Sequence, residues 1–451
     1  MKKIFNNTIS MLIIIGFLLV FSSIVLAQEN ELFIPEIDYS FFELENGLQI
    51  YVFEDHELPL VNVAVWYKVG SFYEEEGKTG LSHVLEHSLF LGTETLEKDQ
   101  VHHLIKTVGG TNNAATSYDF TVYHADYLPS AKLELAMAIE ADRMRNMVLT
   151  EEEFSREMEV IRQERRMRIE NNFAQAAMEE FQAAAFPESP LSHQIVGWME
   201  DLNNLSLEDV REYYDMYYAP NNAILVVSGD ADPDEVLNLA EKYYSDYQSR
   251  EILVPEFENG VQDEERIIEV KKITQVPYTI MYYRIPAGNH PDKIAIDFLL
   301  EILVNNSTSR VKNELEKKQQ ICLYSGAGSV SFAIPGFAQV ILVPADVDYV
   351  ETVTDQFDNE LKRLIEEGIS DQELEIVKKN LLKSLIMSQR DVSDGAQMVI
   401  NGLIKFDQAD YYKTEIQRVL DLTKEDIVRV AKEYFIKENR TVGYILPQSA
   451  Q

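Results

Sequence analysis

The sequence predicts an α+β fold of two tandem homologous domains, each an antiparallel-rich sheet packed with helices. Three observations predict it. Strand-like and helix-like segments alternate along the whole chain rather than separating into blocks. The 451 residues exceed the usual size of one domain. The second half also repeats the first. Ser206-Leu-Glu-Asp-Val, a helix ending at Tyr217-Tyr218, Asn222 and a strand return 217 residues later as Thr423-Lys-Glu-Asp-Ile, Tyr434-Phe435, Asn439 and a strand from Thr441. Thr150-Glu-Glu-Glu-Phe returns 220 residues on as Ser370-Asp-Gln-Glu-Leu. A repeat this long is a domain, not a solenoid unit.

The elements follow in order. Residues 1–27 have the form of a secretory signal peptide: Lys2 and Lys3, an apolar run from Met11 to Phe21, and a small-residue site at Val25-Leu26-Ala27. Because 9–27 is uncharged and near the lower limit for a span, an uncleaved anchor stays open. The expected location is therefore exported, periplasmic or extracellular, with no stable membrane insertion once the signal is removed. The N-terminal domain is placed at 32–247. Residues 48–53 and 61–69 alternate apolar and polar with β-branched side chains and read as strands. Residues 80–90 read as a helix. Residues 151–169 read as a charged helix opened by the N-cap Thr150, with acids in its first turn. A helix over 207–218 stops before Pro220, and 223–228 is an apolar strand. A polar stretch at 248–265, with Pro255 and Gly260, is the linker. The C-terminal domain takes 266–451.

Composition narrows the function. The chain has 76 Asp and Glu against 40 Lys and Arg, a formal charge of −36, yet 46% hydrophobic residues. That apolar share excludes intrinsic disorder. The acidic balance argues against nucleic acid as a partner, since such binding rests on neutralising phosphates. The single Cys322 excludes an internal disulfide and any multi-cysteine metal site.

One constellation carries chemistry. In His83-Val-Leu-Glu86-His87, positions i, i+3 and i+4 share a helix face. Two imidazoles so spaced can bind one zinc, and the glutamate between them can serve as general base. A catalytic zinc needs a third protein ligand. The helix at 151–169 offers Glu157 and Glu164, seven residues or two turns apart; taken alone, it reads first as a solvated charge run.

Beyond these residues, the chain resembles the insulinase/pitrilysin family of inverted-motif zinc peptidases, which includes the mitochondrial processing peptidase. The resemblance is carried by Gly80-Leu-Ser-His83-Val-Leu-Glu86-His87-Ser-Leu-Phe-Leu-Gly-Thr93, by Gly109-Gly-Thr-Asn-Asn113-Ala114-Ala-Thr116 through Tyr123, and by the helix with Glu157 and Glu164. Pro190-Leu-Ser-His193 through Gly197 and Tyr218-Ala-Pro-Asn-Asn222 through Asp230 continue it. It implies that His83, His87 and Glu164 bind one zinc per chain, that Glu86 is the base, and that Glu157 orients a ligand. Asn113 and Ala114 would lie on an edge strand to which the peptide substrate adds as an extra strand.

The second half has no such metal motif, and Ser384 stands where Glu164 would recur. The resemblance implies that Arg310 and Tyr324 of this half contact substrate and the oxyanion. Departures here are Asn305-Asn306, Glu316-Lys317 and Cys322-Leu323. The expected function is a zinc-dependent endopeptidase acting on peptides or unfolded segments enclosed in a dimeric chamber. Since two domains make half of the four-domain chamber the resemblance implies, a homodimer is expected. Two alternatives stand beside it: a non-catalytic peptide-binding or assembly subunit, and a subunit active only with a different partner chain.

Overall fold

The computed structural model describes residues 36–187, 189–255, 257, 260–387 and 391–448. The expected signal segment, 1–27, lies outside the described residues. In chain order the first half comprises β1 (Ser40–Glu43), β2 (Gln49–Glu54), β3 (Leu60–Tyr67), α1 (Leu81–Ser88), α2 (Gln100–Thr107), β4 (Thr111–Thr116), β5 (Thr121–Pro129), α3 (Leu133–Arg145), α4 (Glu151–Arg165), α5 (Phe173–Ala185), α6 (Met199–Asn204), α7 (Leu207–Tyr217), β6 (Ala223–Gly229) and α8 (Pro233–Tyr244). The second comprises β7 (Arg266–Lys272), β8 (Tyr278–Ala287), α9 (Asp292–Leu300), β9 (Cys322–Val330), β10 (Pro335–Pro344), α10 (Val350–Glu367), α11 (Asp371–Met387), α12 (Val392–Phe406), α13 (Tyr411–Asp421), α14 (Lys424–Tyr434) and β11 (Arg440–Pro447). The described residues of 248–265 form no helix or strand. Among the described residues, no helix is long and apolar enough to cross a membrane.

The strands form two sheets, ordered β1-β2-β6-β3-β5-β4 and β7-β11-β8-β10-β9. Pairing is antiparallel except where β2 meets β6 and β7 meets β11. Without β1 the two orders correspond strand for strand, so the β4 edge of the first sheet matches the β9 edge of the second.

Local hydrogen bonds repeat as well. Ser206 with Asp209 and Thr423 with Asp426 form reciprocal capping boxes at the starts of α7 and α14. The amide of Asn222 then donates to the Tyr217 carbonyl at 2.9 Å, and that of Asn439 to Tyr434 at 2.7 Å.

In the first sheet, Val63, Val65 and Tyr67 of β3 face a core shared with Leu85, Met137 and Ile161. The opposite face of each sheet is covered by a helix from the other half. In α5, Ala177, Phe181 and Ala185 recur every four residues and pack with Ile280, Tyr282, Phe337 and Ile445 of the second sheet. Conversely, α12 lies over the first sheet and is tied to it by Asn62 Nδ2 donating to Ser393 Oγ at 2.9 Å.

Candidate metal centre

Two helices carry the candidate ligands. The first, α1, buries Leu81, Ser82, Val84, Leu85 and Ser88 together with His83, and His83, Glu86 and His87 converge beside β4. The second, α4, starts at a capping box between Thr150 and Glu153 and buries Phe154, Met158, Ile161 and Arg165. Glu157 and Glu164 each precede a member of that stripe, so they lie at its margin, half-buried. Arg165 fixes the rotation of α4: its guanidinium donates to both Glu179 oxygens at 2.9 and 2.8 Å and to the Gly197 carbonyl at 2.6 Å.

The donors meet at one point. His83 Nε2 lies 3.8 Å from Glu164 Oε1, and His87 Nε2 lies 3.4 Å from Glu164 Oε2. One donor atom from each of the three residues falls within 4.8 Å of the others. His87 is held from behind, its Nδ1 being 2.9 Å from Glu157 Oε1. Such a carboxylate behind a ligating imidazole fixes the ring and its tautomer. The Thr116 hydroxyl donates to Glu86 Oε2, and among the described residues no hydrogen bond engages Oε1.

The electrostatics call for a cation. Burial pushes the pKa of His83 down, and His87 reinforces this, so His83 presents a lone pair. Burial disfavours charge on His87 too, but hydrogen bonds to Glu157 and Glu164 outweigh it and lift its pKa to about 9. The hydrogen bond from His87 holds Glu164 below its ordinary value. Burial raises that of Glu86, opposed by Thr116. Arg168, largely exposed, reaches Glu164 Oε1 at 2.7 Å from the rim. His83 Nδ1 is a buried polar atom without a hydrogen-bond partner among the described residues. Two imidazoles and a carboxylate with an open fourth direction fit a zinc ion.

The other expected residues divide. Asn113 and Ala114 lie on β4, an edge strand, with Asn113 exposed and Ala114 buried. Ala114 and Thr116 share the α1 side of this strand; Asn113 and Ala115 share the other. Tyr324 is 55% exposed on β9, the opposite sheet's edge. Arg310 lies away from the histidine cluster within this chain. Its guanidinium is buried against α11, donating to Glu373 at 2.9 and 3.2 Å and to the Gly368 carbonyl at 2.8 Å. Among the described residues, no hydrogen bond or ion pair joins Arg310 or Tyr324 to the histidine cluster. Sequence reasoning gave no role to Thr116, although its alternation with Ala114 along β4 was a usable signal.

Comparison with known proteins identifies the family. Residues 50–197 match the model of the insulinase family, peptidase family M16, and residues 204–381 match the peptidase M16 inactive domain. A zinc protease, PqqE, of Helicobacter pylori is 30% identical over 412 residues, covering 90% of this chain and 92% of that protein. The chain belongs to the insulinase (M16) peptidase family. Within that family, the β subunit of the human mitochondrial-processing peptidase is 33% identical over 203 residues, 45% of this chain and 41% of its own. The crystal structure of a protease from Helicobacter pylori superposes with a TM-score of 0.85 at 28% identity, covering 91% of this chain and 99% of that one. The M16 model that includes the His83 cluster is the insulinase one; the inactive-domain model covers much of the half without it.

Proposed function

We propose that the protein is a zinc-dependent endopeptidase that hydrolyses peptides or unfolded segments bound as an added strand. The observation that carries this reading is the convergence of His83, His87 and Glu164 beside a Glu86 already oriented by Thr116. The naming of the Helicobacter relative as a zinc protease supports it.

The residues divide the work. The free edge of β4 offers backbone donors and acceptors to an extended peptide. Thr116 faces α1 from that strand, so a peptide paired there passes Glu86. Glu86 Oε1 accepts a proton from the attacking water and returns it to the departing amine. Glu157 keeps His87 in its tautomer. A zinc ion held by His83, His87 and Glu164 would acidify water and polarise the scissile carbonyl. Tyr324, exposed on its own edge strand, is the second-half side chain available to a neighbouring chain. Two copies would then close a chamber. Export to the periplasm or exterior fits the form of residues 1–27.

Replacing Glu86 with Gln tests the reading. The variant should hold about one zinc per chain and lose peptide cleavage by roughly 100-fold or more. Cleavage at the parent rate by the purified variant would remove Glu86 as the base. Activity of the parent alone, at the mass of a dimer on gel filtration, would separate this reading from an obligate mixed complex.

A further inference from the structure

The helix that carries the two histidines has no cap of its own. Its N-cap is Gly80, which has no side chain and sits at φ 88°. The amides at the start of α1 are served instead from an upstream loop. Glu74 Oε2 accepts from the Gly80 amide at 2.8 Å, and Glu74 Oε1 accepts from the Ser82 amide at 2.8 Å. A second carboxylate grips the preceding residue. Asp201 Oδ2 accepts the Thr79 amide at 3.1 Å and the Thr79 hydroxyl at 2.5 Å. The same hydroxyl accepts from the Trp198 amide at 2.8 Å. Backbone contact closes the joint. A Cβ on Gly197 would fall 2.3 Å from the Thr79 carbonyl, and one on Gly80 would fall 2.5 Å from the Val196 carbonyl. The Ser82 hydroxyl, on the residue before His83, lies 2.8 Å from the Tyr213 hydroxyl.

Placement of α1 is therefore set by two carboxylates outside it: Glu74 reaches Ser82, one residue before the first ligand, and Asp201 reaches Thr79, four residues before it. We infer that Glu74, with Asp201 as the second arm, is a positioning residue for the metal site: it fixes the axial and rotational setting of α1, and with it His83, Glu86 and His87. This rests on the reading of those histidines as metal ligands. A glutamate is suited to the task because its side chain carries two oxygens, one for each of the two amides. Gln offers one acceptor oxygen and so serves only one of the two amides. Ligand displacement of about 1 Å is enough to degrade a catalytic constellation.

The test compares Glu74→Gln and Asp201→Asn with a control, Ser206→Ala, which removes a cap from α7. In the full chain, Glu74→Gln should weaken zinc affinity by about 10-fold or more, within the range for groups that orient ligands. It should alter the visible spectrum of the cobalt-substituted protein and lower kcat more than it raises KM. Ser206→Ala should leave metal affinity and the cobalt spectrum at parent values. Unchanged affinity and spectrum in both Glu74→Gln and Asp201→Asn would overturn the assignment.

Hydrogen exchange on the metal-free protein provides a readout that needs neither metal nor activity. Glu74→Gln should speed exchange at the Gly80 and Ser82 amides by about tenfold, with α7 unaffected. Parent-like exchange at those amides would equally overturn it. A parent chain that binds no zinc, while Glu74→Gln still loosens those amides, would sink the peptidase reading and leave the clamp standing.

Discussion

Arg310 matches a family motif and, within this chain, also holds a structural ion pair. It is 9% exposed, and its guanidinium spans Glu373 and the Gly368 carbonyl at the start of α11. Glu373 is itself the third residue of a capping box, accepting the Ser370 amide at 2.9 Å. Removing Arg310 leaves that carboxylate half-buried without its cation. We therefore expect Arg310→Ala to lower stability by roughly 1–3 kcal/mol in denaturant melts, with part of the pair's worth screened by water. Turnover per folded molecule should stay within about twofold of the parent, a difference of under ~0.5 kcal/mol. A large fall in kcat without a stability change would restore the oxyanion role implied by the family resemblance. The candidate metal cluster was legible because helical spacing alone puts His83, Glu86 and His87 on one face. The intrachain partners of Glu74 and Arg310 were not, since what each touches depends on chain segments that spacing does not bring together.

At the scale of elements, the recurrence of short capping sequences was the most reliable guide. Ser206 and Thr423 open equivalent helices through the same reciprocal bonds, and Asn222 and Asn439 close them onto equivalent carbonyls. The helix expected over 151–169 is observed as α4 to Arg165 and then a wider π turn over Arg166–Glu170, which polar periodicity does not distinguish from α-helix. Ties between elements were less legible. Asp292, at the start of α9, accepts from Arg429 at 2.9 Å and from the Tyr434 hydroxyl at 2.9 Å, both on α14. The Arg429 hydrogen bond holds the Asp292 pKa below its ordinary value. A depressed carboxylate contributes stability that is complete above its unfolded-chain pKa and is lost as pH falls through the folded one. The parent should therefore lose stability from about pH 4 downward. Asp292→Asn should be less stable at pH 7 and lose less between pH 7 and pH 3. Parallel acid limbs for the two proteins in chemical melts would remove Asp292 from the account.

The whole molecule is more interlocked than a tandem repeat with a linker suggests. Each half lends a helix to the other's sheet, and the two covers differ. Over the first sheet, α12 leaves a groove of about 860 Å³ whose walls include Asp55, Glu57, Asp126 and Asp394. Part of the chain's acidic excess therefore lies along this groove. Over the second sheet, α5 seals an aromatic layer in which Phe186 meets Phe337 at 5.5 Å between ring centres and Phe72 meets Phe332 at 4.8 Å. At its centre Phe181 is fully buried, and a Cβ on Gly443 of β11 would fall 2.2 Å from its ring. The last carbonyls of α5 are also capped across the divide: Arg266 donates to Ala184 at 2.7 Å and Arg284 donates to Ala185. The α5 layer is therefore the stronger of the two joints, and the halves should unfold together. Periodicity could mark α5 as amphipathic but could not say which sheet receives it, because that contact is set by the pairing of the two halves. Phe181→Ala should cost about 3–5 kcal/mol, the usual range for deleting a buried aromatic ring. Calorimetry should then show the parent's single transition broaden or divide, as the second sheet loses its cover. A fall in midpoint with one sharp transition retained would mean that the α12 joint, despite its groove, is sufficient to hold the halves as one cooperative unit.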